Sequence, residues 1–427
     1  MILKFKLLDK YLNYLLLFLL PSQLALHFWP NIAFVFGIRV DYLSPTIYFT
    51  DALFFLLFFI WFINNRQKVF YDLKSIGKYL LILVVVLIIN TAFSNIFWLS
   101  LIKLIKIFEV VIFGYYISNR TDLFNNQNIF KILTSSLVFF SLIGFLQFFR
   151  GSTSGNLFYL IGERNFSIYT PGIALVNWFG SNYLRIYSTF PHPNSFAGYL
   201  GVSLIFIILN IPRRKNYYYI LSIIMLVISL FFTFSVSAYI AILLSLFLYF
   251  ILKKYPQKYK WLSLFLILLF LTSFCLAIFS KAILIKTPSL SQSFSERLEL
   301  ADVSGKMFSN NWLFGTGLNT FISQSIYSVE KGGGWLLQPV HNIYLLILVE
   351  MGIPGVIALF VLFLKLLLKI AKTKKIWGVL IIVFVLVSGL FDHYWFTIQQ
   401  NTLLLAFFIG FLLQKKRKVP LGKIYGS

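Results

Sequence analysis

Apolar runs about as long as a bilayer is thick follow one another through the chain, with short polar stretches between them. A helix needs roughly 20 mostly apolar residues to cross the hydrocarbon core. Runs that fit lie near 11–28, 46–63, 79–94, 97–117, 129–149, 195–211, 217–234, 236–252, 261–281, 341–369, 377–392 and 401–414. The pattern predicts an all-α integral membrane protein with about 12 transmembrane helices, residues 1–427 forming a single polytopic membrane domain. Two connections, 150–185 and 283–340, exceed the usual length, and the larger precedes the tenth span.

The flanks orient the pattern. Arg66, Lys68, Lys74 and Lys78, then Arg213, Arg214 and Lys215, then Lys253, Lys254, Lys258 and Lys260, then Lys415 to Lys418 all fall on one side of an even count. By the positive-inside rule that side is cytoplasmic. The expectation is an inner (plasma) membrane protein with both termini cytoplasmic and both long loops outside. The start, Met1 to Lys10 and then an apolar run, reads as a retained first span rather than a cleaved signal.

Composition narrows the choice. Hydrophobic residues make up 59% and charged residues 12%, against roughly a quarter charged in soluble domains. The net charge of +24, from 37 Lys+Arg against 13 Asp+Glu, sits in clusters between apolar runs, which argues against a nucleic-acid partner. The one cysteine, Cys275, makes neither a disulfide framework nor a cysteine metal site.

No P-loop, His-Glu-x-x-His or zinc-spaced Cys/His cluster occurs, and the outer loops carry no Asp-x-Asp pair. The reading is therefore of no cofactor and no metal. All four histidines, His27, His192, His341 and His393, fall at the outer ends of spans, with Arg39, Arg150, Arg164, Arg185 and Arg297 on the same side. The positive-inside rule depletes arginine there. Guanidinium groups suit phosphate or pyrophosphate oxygens, though Arg39 and Arg150 read as well as headgroup anchors.

Several stretches stand out. Arg185 precedes Pro191-His192-Pro193-Asn194, where Asn194 or Ser195 is a fitting N-cap and the helix N-terminus an anion site. Pro339-Val-His341-Asn342 opens a span carrying Glu350 and a break at Gly352-Ile-Pro-Gly355. A histidine there acts either as a general base or as a structural group. Between them lie Arg297, in a stretch expected to form a short surface helix near 296–308, and a turn at 311–321 built on Gly315 and Gly317. The fourth span carries Lys103, Lys106 and Glu109, which should face the bundle, snorkel or pair, with Lys106 and Glu109 spaced for an intrahelical pair. Asp392-His393 reads as a second functional pair or as a solvated Asp in an aromatic belt.

Three of these stretches occur in a characteristic order: Arg185 before Pro-x-Pro-Asn194, Arg297 before Trp312-x-x-Gly-x-Gly-x-Asn-x-Phe321, and His341-Asn-x-Tyr-Leu before Glu350-x-Gly-x-x-Gly355. The set resembles the O-antigen ligase and O-antigen polymerase superfamily of membrane glycosyl transferases. The resemblance implies transfer of glycan from an undecaprenyl-pyrophosphate donor to a glycan, lipid or protein acceptor hydroxyl at the outer face, inverting and without metal. It implies Arg185 and Arg297 on the donor pyrophosphate and His341 on the acceptor hydroxyl. Asn194, His192, Glu350 and Asn342 are supporting substrate-binding candidates. The sequence departs from some relatives at Thr233-Phe-Ser-Val-Ser237, which lacks a Ser-Arg pair, and its second outer loop is short for a large lipid-anchored acceptor. A carrier for a lipid-linked glycan or an anion, and a structural subunit of a glycan assembly machine, are the other classes the sequence allows. Ligase and polymerase chemistry are not separable at this level.

Overall fold

Long apolar runs fold as helices because a chain in hydrocarbon must satisfy its backbone hydrogen bonds internally. The computed structural model describes residues 2–74, 78–211, 217–254, 292–326, 337–373 and 375–414, and these are mostly helical. The helices that build the bundle are α1 (Ile2–Phe18), α2 (Phe49–Lys74), α3 (Lys78–Ala92), α4 (Phe97–Asn119), α5 (Asn126–Arg150), α6 (Pro193–Leu209), α7 (Tyr217–Phe232) and α8 (Val236–Lys254). They continue as α9 (Gln292–Asn310), α10 (Phe321–Ser325), α11 (Ile343–Thr373), α12 (Ile376–Ser388), α13 (Tyr394–Thr397) and α14 (Gln399–Leu412).

Among the described residues, four helices are long and apolar enough to cross a membrane: Phe49–Asp72, Gln127–Arg150, Val236–Lys253 and Ile343–Thr373. Five shorter apolar helices accompany them, among them Pro193–Leu209 and Gln399–Leu412. The expected ninth span, 261–281, lies outside the described residues. One face of many helices exposes large apolar side chains, as with Leu221, Ile224, Val227 and Phe231 on α7. Such a contiguous apolar surface belongs in lipid rather than water.

The interior forms around α6, which is buried from Pro193 to Ile207 and packs against α7, α8, α12 and α14. Helix α4 lies along α14. They approach closely because Gly410 sits where a Cβ would come within 2.3 Å of the Gly114 carbonyl oxygen. Small residues at a membrane helix contact permit this approach.

The expected first span, 11–28, is corrected. Helix α1 ends at Phe18, because Pro21 follows and proline cannot continue the hydrogen-bond ladder. Residues 25–48 form two short antiparallel hairpins instead, β1 (Ala25–His27) with β4 (Thr46–Tyr48) and β2 (Phe34–Val35) with β3 (Ile38–Arg39). The described residues are mostly helical with a few short strands, consistent with the expected all-α membrane class, and a third irregular segment joins the two expected loops. The stretch 150–185 also carries a hairpin, β5 (Leu175–Trp178) with β6 (Ser181–Leu184). It is organised by the buried Glu163 carboxylate, which accepts from Gln147 Nε2 at 2.9 Å and from the backbone N–H groups of Ser154 and Gly155 at 2.9 and 2.7 Å.

The break in α11 falls at Gly352, with φ 64° and ψ −175°. A break inside a membrane helix frees backbone groups that need partners. The turn containing Gly315 (φ 71°) and Gly317 (φ 108°) supplies them. Thr316 N–H donates to Val349 O at 2.9 Å, Gly317 N–H to Glu350 O at 3.1 Å, and Ile353 N–H to Trp312 O at 3.0 Å. Asn90 Nδ2 also donates to Glu350 O, at 2.8 Å. The two glycine motifs are thus one joint. Gly352→Ala puts a Cβ in the left-handed region, 2.4 Å from Leu313 O. It should cost roughly 1–3 kcal/mol. The apparent unfolding temperature of the purified protein should fall, and an unchanged value would contradict this account of the joint.

Candidate active site

A cavity of about 850 Å³ opens at one end of the bundle. Its walls come from distant parts of the chain: Tyr42 and Tyr48 of the first irregular segment, Arg164 and Arg185 of the second, Arg297 on α9, and His341 just before α11. Folding therefore brings Arg185, Arg297, His341, His192 and Asn194 to one space.

Arg185 is fixed on two sides. Its Nε donates to Thr233 O at 2.7 Å and its Nη2 to Asn194 Oδ1 at 2.7 Å. Asn194 Nδ2 then donates to Asp392 Oδ2 at 2.9 Å, and Asp392 Oδ1 accepts from His393 N–H at 2.8 Å. Asp392 is only 5% exposed, so the reading of it as a solvated residue in an aromatic belt is corrected. The segment that lacks the Ser-Arg pair of some relatives holds Arg185 through a carbonyl instead. A buried carboxylate demands donors, and the short polar turn after α12 places Asp392 beside one.

The start of α6 differs from expectation. The N-cap is His192, whose Nδ1 accepts from Asn194 N–H at 3.1 Å, with Pro193 in the first turn. This frees the Asn194 side chain to bridge Arg185 and Asp392. Accepting at Nδ1 also fixes the ring proton on Nε2 when the imidazole is neutral.

The histidines are held neutral. Burial pushes His192 down to about 4, reinforced by the nearby Arg185, against the pull of Asp392. Burial likewise lowers His341 to about 3, and His393 and Arg297 add to the effect. Burial opposes ionisation of Asp392 too, but His393, His341 and the Asn194 hydrogen bond outweigh it and hold the carboxyl near 2. At neutral pH the cluster is one carboxylate among neutral imidazoles. The His341 ring stands 5.5 Å from that of His393, and the buried Nδ1 of His341 has no hydrogen-bond partner among the described residues. His393 Nδ1 pairs with Thr397 Oγ1 at 2.7 Å.

Two sequence candidates lie away from the cavity wall. The Glu350 carboxylate accepts from Asn319 N–H at 2.9 Å and Phe321 N–H at 3.4 Å, so it clamps the glycine turn. Asn342 Oδ1 accepts from Tyr344 and Leu345 N–H at 2.9 and 3.1 Å, so it caps α11. Of the other arginines expected on the outer side, Arg39 stacks on Trp29, 4.3 Å from the ring, and Arg164 pairs with Asp41. Sequence reasoning missed Tyr42, Tyr48 and Gln399 on the wall. Pro21, Pro30 and Pro45 were the available signal that the first two lie in a folded loop. The Lys106–Glu109 pair forms at 3.0 Å, and Lys106 also reaches Asp51.

A multi-pass membrane protein with a basic, histidine-bearing cavity is the class that fold and site define. Residues 220–360, about a third of the chain, match the family model for O-antigen ligase. The matched segment contains Arg297, His341 and Glu350, while Arg185, His192 and Asn194 precede it. No curated protein matches the chain. The match over this segment supports a glycosyltransferase-type enzyme that uses a lipid-linked glycan donor and an acceptor in the membrane.

Because His341 titrates lower in the folded chain, the unfolded chain binds a proton between about pH 6.5 and about pH 3 that the folded chain does not. Stability should thus fall as pH drops through that window. Thermal unfolding measured across it should show a shallower fall in His341→Gln. An equally steep fall would contradict the buried, neutral state of His341.

Proposed function

We propose that the cavity transfers glycan from an undecaprenyl-pyrophosphate donor to an acceptor hydroxyl on the outer face of a membrane that the chain crosses about 12 times. The supporting observation is the convergence of Arg185, Arg297 and His341 on one cavity from positions far apart in sequence. Arg185 and Arg297 bind the pyrophosphate and stabilise the charge that grows on it. Asp392 and Asn194 act through Arg185 by fixing its guanidinium. His341, neutral and weakly basic, positions the attacking hydroxyl by accepting its hydrogen bond, and the hydroxyl proton passes to the departing pyrophosphate. The new C–O bond forms at the anomeric carbon as the bond to the pyrophosphate oxygen breaks, so the configuration inverts. Prenyl pyrophosphate leaves and needs no nucleotide to drive the step.

A carrier is the second reading, because a deeper cavity adjoins the first and shares Lys103, Lys106, Thr397 and Gln399 with it. It requires movement of a lipid-linked glycan or an anion across sealed vesicles. The two readings separate in cells expressing wild type or His341→Ala at equal protein level, by mass spectrometry of lipid extracts and surface glycan. Transfer predicts outward-facing lipid-linked glycan accumulating and surface product falling at least ~100-fold in the variant. Arg297→Ala should cost on the order of 10²–10³-fold. Donor retained in the inner leaflet, or no change in either variant, would overturn the transferase reading. Product length then separates ligase from polymerase.

A further inference from the structure

The deeper cavity, of about 1620 Å³, runs between α2, α3, α4, α11 and α14; apolar side chains such as Leu83, Leu87, Met351 and Leu359 wall its middle, and charged ones such as Asp9 and Arg120 line its far end. Its junction with the outer cavity is polar, formed by Lys103, Lys106, Thr397 and Gln399. The two lysines there differ in kind. Lys106 is neutralised by Asp51 and Glu109, and Gln399 Nε2 donates to both carboxylates at 2.9 and 3.3 Å. Lys103 makes no direct ion pair among the described residues, and the carboxylate that acts on it, Glu350, is committed to the backbone of the glycine turn. Its Nζ donates to Phe396 O at 2.6 Å and lies 4.6 Å from that ring's centroid. An ammonium carries three donors, so two remain for a ligand at the mouth of the chamber. An ionisable side chain is costly at such depth and marks a functional position.

We propose that Lys103 binds a phosphate oxygen of an amphiphile that spans both cavities, head outward and apolar chain in the deeper chamber. The proposal rests on the donor reading above and adds a residue to it that lies outside the matched segment 220–360. The occupant is the prenyl pyrophosphate portion of the donor. Three features favour it: the chamber shares its mouth with the first cavity, its middle is walled by apolar side chains, and that mouth bears a cation with unused donors. Lys103 reaches the pyrophosphate from below, opposite the outer arginines, and so sets how deep the head sits.

The test uses purified full-length protein in nanodiscs, with farnesyl pyrophosphate and inorganic pyrophosphate as probes in binding titrations. Wild type should bind farnesyl pyrophosphate the more tightly. Lys103→Met should weaken that binding about tenfold, the scale of one charge-assisted hydrogen bond, and Lys103→Arg should restore most of it. Leu359→Trp, which narrows the chamber, should weaken farnesyl pyrophosphate and leave inorganic pyrophosphate unaffected. If Lys103→Met binds like wild type while Arg185→Ala does not bind, the role of Lys103 is overturned and the donor reading stands. If Leu359→Trp changes nothing, the prenyl chain lies elsewhere and that half of the proposal falls. If wild type binds neither probe, the donor reading fails and this inference with it.

Discussion

The Asn194 side chain joins the buried carboxylate of Asp392 to the half-buried guanidinium of Arg185. Its carbonyl takes Arg185 and its amide gives to Asp392, so a cation and an anion are held apart yet satisfied. Buried charges persist only when paired and hydrogen-bonded. This joint ties the second irregular segment, the start of α6 and the turn after α12 into one frame. His341 and Arg297 are then set around a guanidinium that cannot swing. The cap that His192 places on α6 is part of the same arrangement, because it relieves Asn194 of capping.

A second constraint is backbone satisfaction where the α11 helix breaks. The glycine turn after α9 delivers N–H groups to the carbonyls of Val349 and Glu350, and the Glu350 carboxylate takes two N–H groups of that turn in return. The helix carrying Arg297 and the helix that follows His341 are thus fastened to each other. A conformational rule of glycine, the left-handed backbone at 315, 317 and 352, becomes a constraint on the spacing of candidate catalytic groups.

Helices were the most legible part of the chain. Runs at 97–117, 129–149, 217–234 and 236–252 match helices to within a few residues, because hydropathy over twenty positions is a strong signal. The hairpins of residues 25–48 were not legible. Their strands are two or three residues long, and Leu24, Leu26, Phe28 and Trp29 extend the apolar run past Pro21. At the site, Arg185, Arg297 and His341 were singled out by motif order, but Asp392 was not understood. Its partner Asn194 is 198 residues away, and no local pattern encodes such a contact. Glu350 and Asn342 belong to the motifs yet serve the backbone, since spacing alone does not tell a clamp or a cap from a ligand. Lys103 was visible as a costly charge, but its place at the junction of two cavities was not.

The central claim is that His341 and the two arginines transfer glycan within one cavity. The most direct measurement is transfer by the purified protein in proteoliposomes, supplied with a prenyl-pyrophosphate-linked glycan and an acceptor. The account predicts prenyl pyrophosphate released in step with inverted product, and loss of both in His341→Ala and Arg297→Ala. Transfer undiminished in both variants, or donor moved across the bilayer without any bond to it being broken, would contradict it.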